Sequence, residues 1–120
     1  MASQGTSGLC RLVKATKFSC QGFKAAFANE AAFRQEVYLS IILIPLGYYF
    51  GNSGLERALL ISVVLLVPII ELINSGIEAL VDRVSTEKHE LSGRAKDVGS
   101  AAVLLSLVNV VVVWFLILFI

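Results

Sequence analysis

The sequence is poor in the residues that build disulfide scaffolds and metal fingers, and it carries little net charge. Its 120 residues include two cysteines, one histidine and two prolines, and the net charge is +1. Cys10 and Cys20 lack a metal-ligand spacing, and we expect no disulfide between them in a segment predicted to face the cytosol. The weak net charge gives no reason to expect nucleic acid as a partner. No cleavable signal peptide is visible, and we expect residues 1–8 to form a disordered start.

Apolar residues, in contrast, are abundant and occur in long runs. Hydrophobic residues make up 57% of the chain, and the mean hydropathy is +0.80. Soluble domains average about 45–50% apolar residues, so the excess is large. A chain of this length has room for one domain. The composition therefore predicts a small all-α membrane protein.

Three stretches predict membrane-spanning helices, at about 31–50, 55–82 and 98–120. The charge-free part of the first stretch is only 14 residues long, whereas the third has 23 residues without a charge. At about 1.5 Å per residue, the third stretch is long enough to cross about 30 Å of hydrocarbon. Pro45 and Pro68 are expected to kink their helices or to free a carbonyl group.

Two other segments suggest how the chain meets the membrane surface. In residues 9–30, basic residues alternate with aliphatic and aromatic ones at helical spacing, which indicates an amphipathic helix in the membrane interface. An ordinary surface helix packed on a protein core is the alternative. Residues 83–97 are polar and predict a loop with helical ends. Nine of the ten basic residues flank span ends on one side, and only Arg57 lies in the opposite turn. The positive-inside rule then places the N-terminus and the 83–97 loop in the cytoplasm.

Polar residues follow one face of the second predicted span. Their offsets of 0, 3, 4, 7 and 11 place them within about 100° of the helix surface, and they are Glu71, Asn74, Ser75, Glu78 and Asp82. A charge at the centre of a span costs about 2.5–3.5 kcal/mol on insertion scales. Three acidic residues on this face therefore require metal ions, protons, basic partners or water to neutralise or solvate their charge. Glu71 lies about 16 Å from Asp82 along the helix, deep enough to act as a base, and the alternative is a structural carboxylate hydrogen-bonded between helices.

Further charged residues gather at the predicted cytoplasmic ends of the helices. Glu30 and Glu36 flank the start of the first span, and the polar segment adds Glu87, His89, Glu90, Arg94, Lys96 and Asp97. Carboxylates beside lysines suit a metal–nucleotide site, because Mg²⁺ usually binds one or two carboxylates plus phosphate oxygens. Each of these charges alone also fits a solvated surface residue. Neither a Gly-x-x-x-x-Gly-Lys-Ser/Thr loop nor a glycine-rich kinase loop is present, so an ATP site here would lack those phosphate cradles.

Three motifs closely resemble the prokaryotic diacylglycerol kinase family: EAAFRQE at 30–36, ELINSGIEALVDR at 71–83 and HELSGRAKDVGSAAV at 89–103. The likeness extends from about Arg11 to Trp114. It implies three spans and one surface helix per chain, in a homotrimer of the bacterial inner membrane with active sites between subunits. It also implies ATP-dependent phosphorylation of diacylglycerol to phosphatidic acid, with Mg²⁺ as the cofactor.

The resemblance assigns roles to single residues of this sequence. Glu71 takes the position of the catalytic base, Asn74 belongs to the same site, and Glu30 and Glu78 fall at the metal-binding carboxylates. The expected nucleotide contacts are Arg11, Phe18, Glu87, Lys88, His89, Lys96 and Asp97. The expected lipid contacts are Arg34, Glu36, Ser100 and Trp114. Phe18 stands where relatives often carry tyrosine, so a hydroxyl contact to the nucleotide is missing there.

Three other functions fit part of the sequence. Undecaprenol kinases share the motifs of this family and differ in the acceptor lipid, which the sequence does not reveal. A small ion-coupled transporter would also use a deep intramembrane glutamate, but it does not need the metal and phosphate set of residues 83–97. A non-catalytic membrane subunit would leave unexplained the energetic cost of three acidic residues on one face of the second predicted span.

Overall fold

The computed structural model describes residues 7–84 and 87–120, and this part of the chain folds into four helices. Their bounds are Gly8–Asn29 (α1), Ala31–Phe50 (α2), Gly54–Val84 (α3) and Glu90–Phe119 (α4). No strand occurs in the described residues. The prediction of an all-α fold with an amphipathic first helix and three long ones is confirmed.

The N-terminal end of α1 begins earlier than the sequence suggests. Ser7 has an extended backbone, and its Oγ accepts a hydrogen bond from the amide of Cys10 at 3.2 Å. This N-cap satisfies one of the amides that a helix leaves free at its start. Gly8 is therefore helical and not part of a disordered start, and residues 1–6 of that expected segment lie outside the described residues.

The junction of α1 and α2 is a single extended residue, Glu30, with φ −119° and ψ 106°. Arg34, one turn into α2, donates from Nη1 to the carbonyl oxygens of Phe27 at 2.7 Å and Ala28 at 3.2 Å. The last carbonyls of a helix have no partners within it, so the guanidinium caps the end of α1. Glu30 is thereby fixed at the corner where the surface helix meets the first predicted span.

The turn between α2 and α3 is built from short polar contacts. Ser53 Oγ accepts from the amide of Glu56 at 3.1 Å and caps the start of α3, and Glu56 Oε1 accepts from the amide of Asn52 at 3.0 Å. Arg57 Nε donates to the carbonyl of Tyr48 at 2.9 Å, and its guanidinium carbon lies 4.6 Å from the centre of that ring. These contacts hold the two helices antiparallel at this end.

The connection between α3 and α4 is shorter than expected. His89 Nδ1 accepts from the amide of Leu91 at 3.1 Å and caps α4, and Glu90 pairs with Arg94 one turn on at 3.6 Å. The helix consequently starts eight residues before the predicted span. The helical ends expected for residues 83–97 are present at 83–84 and 90–97, so that the second of them is longer than predicted. Residues 85–86 of the expected loop lie outside the described residues.

The central helix is α3, which packs on α2 along one side and on α4 along another. One face of it is buried over six residues at spacings of three and four: Leu60, Val63, Val64, Val67, Glu71 and Asn74. The first four are aliphatic and the last two are polar. The core of this fold therefore changes from apolar to polar along a single helix face.

The prolines do not end their helices. Pro45 lies inside α2 and Pro68 inside α3, and both helices continue beyond them. A proline removes one backbone hydrogen bond and leaves the carbonyl four residues earlier unpaired within the helix. In α3 that residue is Val64, which is buried.

Among the described residues, two helices, α3 and α4, are long and apolar enough to cross a membrane. The structure agrees with the expected bounds of α2, 31–50, but this helix carries Arg34 and Glu36 in its first two turns. Membrane crossing by α2 stays a prediction.

Replacing Trp114 by phenylalanine should loosen α4 from α3. The indole Nε1 of Trp114 donates to the carbonyl of Leu60 at 3.1 Å, and this hydrogen bond joins residues 54 positions apart. We expect Trp114→Phe to lower the free energy of unfolding by about 0.5–1.5 kcal/mol, measured by denaturant titration in detergent micelles. The matched change Phe115→Leu, at an exposed neighbour, should have a smaller effect. Equal losses in the two variants would contradict a specific role for the indole hydrogen bond.

Candidate functional site

Two polar side chains are buried in the C-terminal half of α3. Glu71 is 5% exposed and Asn74 is 6% exposed. The carboxylate of Glu71 lies close enough to those of Glu30, Glu36 and Glu78 for electrostatic interaction. The helix pattern explains this gathering, because α3 contributes Glu71 and Glu78 two turns apart, while Glu30 and Glu36 come from the start of α2 and its junction with α1. Glu71, predicted to lie deep in the second span, is therefore near Glu30 and Glu36 of the predicted cytoplasmic end and near Glu78 of its own helix.

The amide of Asn74 is held between two neighbours. Its Nδ2 donates to Glu78 Oε1 at 3.3 Å. On its other side lies Gly99 of α4, where an added Cβ would collide with Asn74 Oδ1. Glycine at position 99 thus allows the backbone of α4 to approach the amide. Asn74 Oδ1 itself is buried and accepts no hydrogen bond from the described residues.

A groove with acidic walls lies between α1 and α3, and we call it the acidic groove. Its volume is about 640 Å³. Its polar lining consists of Asn29, Glu30, Ser75, Glu78 and Asp82. Glu30 of the α1–α2 junction and Glu78 of α3, predicted from the family resemblance to bind metal, thus line the same groove.

A second groove, the loop groove, adjoins the first at Asp82. Its volume is about 490 Å³, and it is lined by Asp82, Glu87, Lys88, His89, Glu90 and Lys96, among others. Lys96 Nζ lies 2.8 Å from Asp82 Oδ1 in an exposed ion pair that joins α4 to α3. Four of the seven residues expected to contact the nucleotide are brought together here, although one nitrogen of His89 is engaged in capping α4.

The other predicted site residues lie elsewhere. Arg11, Phe18, Asp97 and Ser100 are exposed and line neither the acidic groove nor the loop groove. Glu36 borders a smaller cavity of about 240 Å³ among α2, α3 and α4. Arg34 caps α1, and Trp114 lies about 27 Å from Lys96 along α4. The structure gives Arg34 and Trp114 packing contacts, and their contact with lipid stays a prediction.

The donor atoms of the acidic groove suit a hard cation that keeps ligands from elsewhere. In the described residues no three His, Cys, Asp or Glu side chains are arranged to hold a metal ion. A buried oxygen without a hydrogen-bond partner is nevertheless present at Ser75 Oγ, which belongs to a residue of this groove, and two others are present outside its lining at Asn74 Oδ1 and Glu36 Oε2. Such atoms are costly unless water or a ligand pairs with them. Two carboxylates with neutral oxygens nearby fit Mg²⁺, which usually completes its shell with phosphate oxygens and water.

Two features of the site were missed by the sequence argument. Gly99 was not singled out, although an isolated glycine within a helix often marks a close approach. Ser75 was placed on the polar face of the second predicted span but was given no role, and it lines the acidic groove. Gly99 acts across two helices, which a periodicity along one helix does not reveal.

Comparison with known proteins finds a matching protein family and several similar proteins that share one name. Residues 17–118 match the protein family described as prokaryotic diacylglycerol kinase. A protein of Haemophilus influenzae named diacylglycerol kinase is 55% identical over 109 residues, covering 91% of this chain and 92% of that protein. The proteins of the same name from Pseudomonas aeruginosa and Escherichia coli are 53% and 47% identical, over 92% and 93% of this chain and 90% and 92% of their own lengths.

An alanine at position 99 should destabilise the protein. A Cβ there would meet the amide of Asn74, and overpacking of this kind costs about 1–3 kcal/mol. The matched control is Gly93→Ala on the same helix, where a Cβ meets nothing within 4 Å. The control should be neutral or slightly stabilising, since alanine favours a helix over glycine by about 0.5–1 kcal/mol. Denaturant unfolding followed by circular dichroism compares the two, and equal stability would contradict the close approach of α4 to Asn74.

Proposed function

The chain belongs to the prokaryotic diacylglycerol kinase family and is a membrane-bound lipid kinase, and from this premise we propose that it transfers the γ-phosphate of ATP to the free hydroxyl of diacylglycerol. The products are ADP and phosphatidic acid. The single observation that supports this assignment most is the acidic groove, which is lined by Glu30 of the α1–α2 junction and by Ser75 and Glu78 of α3. This groove adjoins the loop groove, whose lining includes lysines.

The proposed division of roles follows the two grooves. The phosphates of ATP lie in the acidic groove, with Lys96 nearby, and the nucleoside reaches the loop groove. In this assignment, Glu30 and Glu78 would hold Mg²⁺ in the acidic groove. When bound, Mg²⁺ neutralises the charge that develops on the transferred phosphoryl group. Phosphoryl transfer needs little covalent help, so positioning and electrostatics supply most of the rate gain.

Glu71 is the proposed general base. Its carboxylate is buried, lies beside Glu30 and Glu78, and faces away from bulk water. From that position it orients the lipid hydroxyl and takes its proton as the oxygen attacks the γ-phosphorus. Asn74 holds Glu78 through its amide and keeps the neighbouring carboxylate in place.

The proposed setting is the bacterial inner membrane, with the N-terminus and both grooves on the cytoplasmic side. The basic residues support this orientation, because only Arg57 lies at the turn between α2 and α3. A homotrimer with sites between subunits is proposed as well. It is supported by α4, whose buried residues are only Gly99 and Ser106, so that most of this helix is left to lipid or to a neighbouring chain.

The first experiment compares acceptors and tests the base. Phosphate transfer from radiolabelled ATP is measured in mixed micelles with Mg²⁺, with diacylglycerol or undecaprenol as acceptor. We expect label in phosphatidic acid, and a fall in turnover of about 10²–10⁴-fold or more in Glu71→Gln, with ATP binding retained. The matched control is Glu56→Gln, about 22 Å away along α3.

The other possible results of this assay would change the assignment in different ways. Label in undecaprenol alone would retain the mechanism and change the substrate. An active Glu71→Gln enzyme would remove Glu71 from the role of base. Transfer to neither lipid would refute the proposed reaction.

A second prediction concerns the metal. Glu78→Gln removes one of the three carboxylates that line the acidic groove while leaving an oxygen for the amide of Asn74. We expect the Mg²⁺ concentration for half-maximal activity to rise by about tenfold or more. The Glu56→Gln protein again serves as the control. An unchanged Mg²⁺ dependence in Glu78→Gln would exclude Glu78 as a metal ligand.

A further inference from the structure

An asparagine lies at the middle of the apolar stretch of α4. The stretch from Val98 to Ile120 has no charged residue, and Asn109 is its central position, with eleven residues on either side. At about 1.5 Å per residue, each flank is about 16 Å long, which matches half of the thickness of bilayer hydrocarbon. Because α4 is long and apolar enough to cross a membrane, the side-chain amide of Asn109 lies close to the bilayer midplane.

This amide has no hydrogen-bond partner in its own chain. Within residues 7–84 and 87–120 the side chain of Asn109 makes no hydrogen bond, whereas the hydroxyl of Ser106, one turn earlier, donates to the carbonyl of Val103 at 2.6 Å. An unpaired amide is far more costly in hydrocarbon than at a surface, where water pairs with it. Water and lipid head groups begin about 15 Å from the midplane. The partner of Asn109 must therefore come from another protein helix.

Asn109 lines a cleft between α3 and α4, which we call the midplane cleft. Its volume is about 580 Å³. Leu66 and Ile70 of α3 form one wall, and Ala102 and Ser106 of α4, whose side chains are short, form part of the other. Short side chains let a further helix approach closely within a membrane. The cleft shares no lining residue with the acidic groove or the loop groove, so it is separate from the proposed site of phosphoryl transfer.

A second copy of the chain supplies the missing partner. Copies that insert into the membrane in one orientation are related by an axis along the membrane normal, so that equal residues lie at equal depth. Each neighbouring copy thus brings an amide of its own, which both donates and accepts hydrogen bonds, to the depth of Asn109. A lipid offers only hydrocarbon at this depth.

We propose that the midplane cleft is an interface with a second copy of the chain, and that the Asn109 amide forms a hydrogen bond across this interface. The inference rests on the homotrimer of the proposed function, and it adds the surface and the polar contact that join the chains. Apolar helix surfaces gain little when they leave lipid for one another. One polar contact at the midplane therefore decides which helix faces meet and in which register, as a buried asparagine does in a coiled coil.

The first test removes the amide and measures association of the chains. Asn109→Val replaces the amide by an apolar group, and the matched control is Leu104→Val, at an exposed position of α4 outside the cleft. Association is followed by energy transfer between chains that carry a donor or an acceptor dye on Cys10 and Cys20, which are free and exposed, while detergent is added.

We expect the association constant to fall about threefold to thirtyfold in Asn109→Val, the range for a hydrogen bond between helices in a membrane. Leu104→Val should associate like the unmodified protein, and Asn109→Gln, which keeps an amide, should lose less than Asn109→Val. Unchanged association in Asn109→Val, or equal losses in the two valine variants, would overturn the proposal. Unmodified chains without any energy transfer would refute the proposed homotrimer and this inference together.

A second measurement uses the unmodified chain, so that it does not depend on the folding of a variant. Chains with ¹⁵N-labelled asparagine are mixed in micelles with chains that carry ¹³C-labelled methyl groups, and nuclear Overhauser effects between the two labels are recorded. We expect effects between the side-chain amide protons of Asn109 and methyl groups of the other chain. Effects to detergent alone would overturn the proposal. Both measurements omit ATP and the lipid acceptor, so a failure of the proposed reaction does not alter them.

Discussion

The burial of Glu71 and Asn74 on the packing face of α3 is the constraint on which the other features depend. The same face carries four aliphatic residues before them, so the helix cannot rotate to expose the polar pair without also exposing its apolar core. Burying a polar group away from water costs several kcal/mol of free energy unless the group is hydrogen-bonded. The aliphatic half of the face therefore stabilises a helix orientation in which a carboxylate stays buried and available for chemistry.

The neighbouring helices are adapted to this buried pair. Gly99 lets α4 come close to the Asn74 amide, and the Trp114 indole fixes the other end of α4 on the Leu60 carbonyl. Arg34 caps α1 and so holds Glu30 at the corner next to the acidic groove. A helix cap, a hydrogen bond and a close helix contact outside the site thus help to fix the distances among the glutamate side chains. Oxygens left without partners at Asn74 and Ser75 are the remaining cost, as expected where a site is shaped for a ligand.

Much of this arrangement was predictable because it follows from periodicity along single helices. The bounds of α2 and the shared face of Glu71, Asn74 and Glu78 agree with the sequence argument. The helical ends of residues 83–97 were predicted, but the start of α4 at Glu90 was not, since it depends on His89 accepting a hydrogen bond from the amide of Leu91. The approach of Gly99 to Asn74 was also missed, because it joins two helices. Capping and close packing depend on the positions of single atoms, which a pattern of residue types does not reveal.

The three grooves together suggest how a chain without a phosphate-binding loop brings a water-soluble and a lipid-soluble substrate to one point. Asp82 is shared by the loop groove and the acidic groove, and Leu72 by the acidic groove and a third, apolar groove of about 680 Å³ among α1, α2 and α3. These two residues lie ten positions apart on α3, about 15 Å along its axis. A single helix that passes from the interface into the hydrocarbon therefore provides polar walls at one end and apolar walls at the other. On the proposed assignment, phosphoryl transfer takes place near Leu72, with Glu71 directly before it in the sequence and Glu78 six residues further along α3.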